Sequence, residues 1–246
     1  MVWYNISAKQ LAEEMTLREL QLDSIPASGK DRERFESALK DNILKARGIK
    51  YGDDSYSRMY MQERERILGD WESFLDDFCR TYEVNTSGEI FVAGINDGQE
   101  VGFLNPAKLS GLDISESAVV RGRKKYSHIN FYHCNLAEFD MAPEALDTYF
   151  SFRTMHIFTR REAKSIILRA MRFLKESGKI VISVPGGYLA ENGRIVFGQK
   201  LDGDRIDLEK PLRDAERIKA LLDETGFVST QIINHKIEIF VLGVKP

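Results

Sequence analysis

From Ser87 onward, short β-rich runs alternate with amphipathic segments, and that alternation constrains the fold more than any other feature of the chain. The runs are GEIFVAGI, KLSGLDI, INFYHCNL, ALDTYFSF, GKIVISVP, STQIINH and IEIFVLGV. Between them, SESAVVRGRKKY (115–126), TRREAKSIILRAMRFLKES (159–177) and PLRDAERIKALLDETGF (211–227) carry the 3.6-residue periodicity of helices. Parallel strands need long crossovers, and crossover helices cover the sheet faces, so the pattern predicts an α/β fold with a doubly wound, mostly parallel seven-stranded sheet. The last two runs stand too close for a helix and predict a C-terminal antiparallel hairpin. Residues 186–210, rich in glycine and alternating polar residues, read as an insertion or lid.

The first 86 residues follow a different period. SAKQLAEEMTLRELQL (7–22), RERFESALKDNILKARGIK (32–50) and RMYMQERERILGDWESFLDDFCRTY (58–82) each place apolar residues on one helical face. The expected organisation is an N-terminal helical cover over 1–86 and a sheet domain over 87–246. A chain of 246 residues can bury on the order of 70–75% of its unfolded surface, enough for one large core with a helical annex.

Charge and cysteine content narrow the function classes. Thirty-five basic and 38 acidic residues give a net charge of -3, so no global positive field would hold a polyanion. Nucleic acid is therefore possible but not favoured as a partner. Cys79 and Cys134 lack the spacing of a disulfide framework or a zinc site, and no His/Asp/Glu cluster has ligand spacing, so no metal is expected. No apolar run approaches the ~20 residues of a bilayer-spanning helix. The opening MVWYNISAKQLAEE lacks the order of a signal peptide, which makes the cytoplasm the expected location.

The chemistry-bearing residues cluster at strand ends. The first strand runs into Ala93-Gly94-Ile95-Asn96-Asp97-Gly98, a glycine-containing turn of the kind that lets backbone approach an anionic or nucleotide-like ligand. Its other reading is a tight strand-to-helix turn without a ligand. The second strand ends in Gly-Leu-Asp-Ile-Ser-Glu-Ser-Ala, placing Asp113 at its tip, where a carboxylate can accept hydrogen bonds from a ribose diol or merely cap the next helix.

Taken in order, these segments resemble the class I S-adenosylmethionine-dependent methyltransferases over residues 88–246. FVAGINDG keeps the outer glycines of that family's Gly-x-Gly-x-Gly turn, and GLDISESAV is similar to its second motif. The resemblance implies S-adenosylmethionine as cofactor, held by Ala93, Gly94, Ile95, Asn96 and Gly98 in the turn and by Asp113 and Ile114 at the second strand. It further implies Asn135 and Leu136 beside the adenine, with Asn135 meeting its amino group, and Ser151, Phe152 and Arg153 near the sulfonium. Two positions depart from the pattern. Val92 stands where the family usually has an acidic residue, leaving Asp97 or Glu100 to approach the cofactor ammonium, and Asn96 replaces the middle glycine, a change asparagine's tolerance of positive φ permits.

His156, in RTMHIF after the fourth strand, has a suitable pKa for a general base and is the candidate catalytic residue; its other reading is a histidine that shapes the pocket. In the N-terminal region, Arg58 and Tyr60 belong to a Tyr/Arg cluster that in similar enzymes lies in a cover holding the cofactor carboxylate. The expected activity is methyl transfer to a small-molecule acceptor by a monomer or homodimer. An RNA, cap-like acceptor is the second reading, and a non-catalytic scaffold retaining the fold is the third.

Overall fold

The structure is a computed structural model that describes residues 71–185, 188–189, 195–197, 199–200, 206–207, 210–235 and 238–246. The expected helices over 7–22 and 32–50 and the start of the third lie outside these residues, as do Arg58 and Tyr60. The described chain begins with helix α1 (Trp71–Thr81), followed by β1 (Glu89–Ala93), β2 (Lys108–Asp113), α2 (Glu116–Lys125), β3 (Ile129–His133) and β4 (Leu146–Phe152). A 3-10 turn (Met155–Ile157) leads into α3 (Arg160–Phe173) and β5 (Leu174–Pro185). The short strands β6 (Tyr188–Leu189), β7 (Ile195–Phe197), β8 (Gln199–Lys200) and β9 (Ile206–Asp207) then precede α4 (Lys210–Glu224), β10 (Val228–His235) and β11 (Glu238–Val244).

Seven strands form the main sheet in the order β10-β11-β5-β4-β1-β2-β3. Strands β1 to β5 pair in parallel, and β11 runs antiparallel to both β5 and β10. All seven β-rich runs read from the sequence lie in this sheet. Within the 186–210 stretch, β6 pairs with β7 and β8 with β9, each pair antiparallel.

The sheet is apolar on both faces because alternate residues of its central strands serve opposite layers. In β1, Phe91 and Ala93 join the layer that α3 and α4 build with Ile166, Ile167, Ala170, Ala215, Ile218 and Leu222. Ile90 and Val92 join the opposite layer with Trp71, Leu75 and Phe78 of α1 and Val119 of α2. Central strands buried on both sides lose the polar/apolar alternation of a surface sheet, which is why β1 and β5 read as continuous hydrophobic runs.

One element differs from the periodicity reading, and one crossover lacks the helix usual in a doubly wound sheet. The helix expected over 159–177 stops at Phe173, because Leu174 is extended (φ -69°, ψ 144°), fully buried and paired with Leu146 of β4. Burying Leu174 in the sheet outweighs continuing the helix, and Lys175 to Gly178 are taken up by a register shift before Lys179 meets Thr148. The crossover between β1 and β2, residues 94–107, contains no helix; it is a chain of tight turns in which Gly98, Val101 and Leu104 donate to the carbonyls of Ile95, Gly98 and Val101. Val101 and Leu104 are buried and anchor these turns to the α1 layer.

Candidate cofactor cavity

A cavity opens at the C-terminal ends of β1, β2 and β4, the edge where open α/β sheets bind ligands. Its floor is the turn after β1. Gly94, Asn96 and Gly98 all have positive φ (73°, 52° and 82°), so the chain makes left-handed steps at alternate residues. Asn96 takes one of them without glycine, as asparagine readily does. The turn is pinned to β2, since the N–H groups of Gly94 and Ile95 both donate to the carbonyl of Leu112 at 2.9 Å. Gly94 also lies so close to Thr154 that any Cβ there would collide with the threonine side chain.

Asp113 stands at the tip of β2. One carboxylate oxygen accepts from Asn96 N–H and the other from Ser115 N–H, each at 2.9 Å. Ser115 in turn caps α2 by accepting from Ala118 N–H, so the helix is capped by the serine while the aspartate ties turn to helix. Burial pushes the Asp113 carboxyl above the usual carboxylate value, and the N–H groups of Ser115, Asn96 and Ile114, with His133, offset only part of that push. The carboxylate lines the cavity, with lone pairs beyond those two bonds.

Of the residues expected to hold a cofactor, Gly94, Ile95, Asn96, Asp113, Ile114, Asn135, Leu136, Phe152 and Arg153 line this cavity together. Ala93 and Ser151 are fully buried in the sheet and do not line it, and neither does Gly98, which packs over Phe131 and Tyr126. His156 sits half-buried on the 3-10 turn, also outside the lining, although its neighbour Ile157 is part of it. Thr154, Ile157, Phe158 and Gln99 line the cavity without having been singled out by sequence reasoning; for the first three, the available signal was their position just past a strand ending at the ligand edge.

Electrostatically the cavity is mixed. Asp97 and Glu100 line it near the turn, and Glu100 is only 8% exposed. Val92, by contrast, is 1% exposed within the α1-side layer, between Gly111 of β2 and Phe150 of β4, where a carboxylate would be stranded among apolar side chains. On the β4 side, Arg153 has φ 48° and its Nε donates to Glu238 Oε1 at 2.7 Å, with both side chains almost wholly buried.

An adenosine-containing cofactor fits these donors and acceptors. Asn135 Oδ1 accepts from Ala137 N–H at 3.1 Å, which leaves its buried Nδ2 as a donor with no protein partner in the cavity wall. Such a group costs free energy until an acceptor arrives; a purine ring nitrogen offers one, so the adenine partner that fits here is a ring nitrogen and not the amino group that the resemblance implied, which is itself a donor. Among the described residues no cluster of His, Cys, Asp and Glu could hold a metal ion, and no helix is long and apolar enough to cross a membrane.

Comparison with known proteins agrees with this geometry. Residues 94–178 match a family model described as a methyltransferase domain. No curated protein matches the sequence. Among solved structures, magnesium protoporphyrin IX methyltransferase from Synechocystis with bound S-adenosylhomocysteine is 16% identical, with a TM-score of 0.57 covering 84% of this chain and 100% of that one. A methyltransferase dependent on S-adenosylmethionine from Aquifex aeolicus is 13% identical, with a TM-score of 0.57 over 77% and 98% of the two chains. Phosphoethanolamine N-methyltransferase 2 of Haemonchus contortus, solved with S-adenosyl-L-methionine, is 16% identical with a TM-score of 0.53; the match covers 72% of this chain and only 53% of that one. The match to the methyltransferase-domain model is confined to residues 94–178, and beyond it the likeness to these methyltransferases is one of fold.

Proposed function

We propose that the chain binds S-adenosylmethionine in this cavity and transfers its methyl group to a small-molecule acceptor. The observation that carries the reading is Asp113, a carboxylate at the tip of β2 that is fixed by two backbone N–H groups and lines the cavity beside the Gly94 turn. It accepts the ribose hydroxyls. Asn135 donates to the adenine ring, and Asp97 and Glu100 take over the ammonium contact that Val92 cannot make.

The bound cofactor supplies an electrophilic methyl carbon on a sulfonium, and its transfer is an in-line displacement, so the protein's part is alignment and exclusion of water. Phe152, Ile157 and Phe158 give the cavity an apolar wall suited to that task. His156 is the candidate base for an acceptor that must lose a proton. The residues before α1, with Arg58 and Tyr60, are assigned to a cover over the cavity, and residues 186–210 to the acceptor side. A net charge of -3 supports a small molecule over an RNA.

The test is transfer of a labelled methyl group from S-adenosylmethionine to panels of small molecules and, separately, to RNA. Label in a small molecule, lost in Asp113→Ala, supports the proposal. Label in RNA alone would move the assignment to the nucleic acid, and a folded chain that binds no cofactor would make it a scaffold.

A further inference from the structure

The turns after β1 have no helix to stiffen them, yet they carry Gly94, Asn96, Asp97 and Glu100 into the cavity wall. In an α-helix, the carbonyl of Glu100 would accept from the N–H of Leu104. Here Leu104 N–H donates to Val101 instead, and the Glu100 carbonyl receives the indole Nε1–H of Trp71 at 2.9 Å in a buried contact. The same indole meets the ring of Phe152 edge-on, with centroids 5.9 Å apart at 86°, and Phe152 is the last residue of β4 and also lines the cavity. One side chain of α1, 5% exposed, thus touches two lining residues from separate elements at once.

We infer that Trp71 is a positioning residue that braces the Glu100 turn against the tip of β4 and so holds the cofactor cavity in its binding shape. The inference rests on the proposed cofactor reading and adds a residue outside the matched methyltransferase domain, which starts at residue 94. Its physical basis is preorganisation: a turn held before the ligand arrives does not have to be ordered during binding.

The experiment measures S-adenosylhomocysteine affinity and thermal midpoint for the full chain, Trp71→Phe and Phe78→Leu. Trp71→Phe keeps a ring against Phe152 and loses the N–H donor. Phe78 packs on Tyr82 and Phe240 and does not line the cavity, so Phe78→Leu weakens α1 packing alone. Trp71→Phe is expected to weaken binding about five- to tenfold, while Phe78→Leu lowers the midpoint and leaves affinity within about twofold of the full chain. The chain has two tryptophans, Trp3 and Trp71, so in Trp3→Phe the emission reports Trp71 alone and is expected to change saturably with S-adenosylhomocysteine.

Unchanged affinity in Trp71→Phe, equal weakening in Phe78→Leu, or an emission indifferent to ligand would overturn the positioning role while leaving the cofactor reading intact. A folded full chain that does not bind S-adenosylhomocysteine would overturn both.

Discussion

Asp113 concentrates the account at the scale of a single residue. Its folded pKa is raised by burial, so its charge subtracts from the stability of the ligand-free fold at neutral pH, and that cost is relieved as pH falls through the raised value. A bound ribose reverses the balance, because its hydroxyls need the carboxylate as acceptor. Affinity for S-adenosylhomocysteine is therefore expected to fall as pH is lowered from 7, beginning above the usual carboxylate range, and in Asp113→Asn the profile is expected to be weaker throughout and flat. A wild-type profile independent of pH would contradict the contact. Arg153 and Glu238 give a second prediction at this scale. Both side chains are nearly inaccessible, so Glu238→Gln replaces a buried ion pair by a charged–neutral contact and is expected to lower unfolding stability by about 3 kcal/mol, read from a shifted denaturant midpoint.

Among the elements, two helices are closed at their N-termini by side chains from their own first turn. Ser115 caps α2, and Thr159 with Glu162 forms a complete capping box at the start of α3. Thr159→Ala is expected to cost about 1 kcal/mol in thermal or chemical unfolding with little effect on cofactor affinity. The turn after β1 predicts the opposite pattern. Gly94→Ala adds a Cβ at φ 73° directly against Thr154, so it should weaken S-adenosylhomocysteine binding at least tenfold through the distorted cavity floor, beyond its strain of about 1–2 kcal/mol. Equal affinities for Gly94→Ala and wild type would separate the turn from the site.

The seven strands of the main sheet, their order along the chain and the hairpin were legible because each is a compact apolar run, whereas the short strands β6 to β9 lie in the stretch read only as an insertion or lid. The end of α3 was not, because Leu174 is apolar at a helical spacing and only its pairing with Leu146 places it in the sheet. The helix-free crossover was equally hidden, since the anchoring of Val101 and Leu104 under α1 is a tertiary fact. For the cavity, Gly94 and Asp113 could be located from strand ends, whereas Thr154, Ile157 and Phe158 reach it through a 3-10 turn whose direction no local pattern specifies.

For the whole molecule, the two apolar layers explain how a sheet buried on both faces can present a polar, glycine-containing turn at the C-terminal ends of β1 and β2. The α3 and α4 layer and the α1 and α2 layer fix the strands, and the turns that leave their C-terminal ends are then free to carry unfavourable backbone conformations and a half-buried carboxylate. Those features reduce stability in the ligand-free chain and are compensated when a ligand supplies the missing partners, the usual relation between strain and site. The same relation means that ligand binding should raise the thermal midpoint as the free ligand concentration exceeds its dissociation constant. Calorimetric titration of the full chain with S-adenosylmethionine and S-adenosylhomocysteine, with Asp113→Ala as the comparison, decides whether the cavity is a cofactor site. The account predicts saturable one-to-one binding of both ligands, weakened by about 1–3 kcal/mol in the variant; a folded chain that binds neither ligand, or binds both equally well without Asp113, would contradict it.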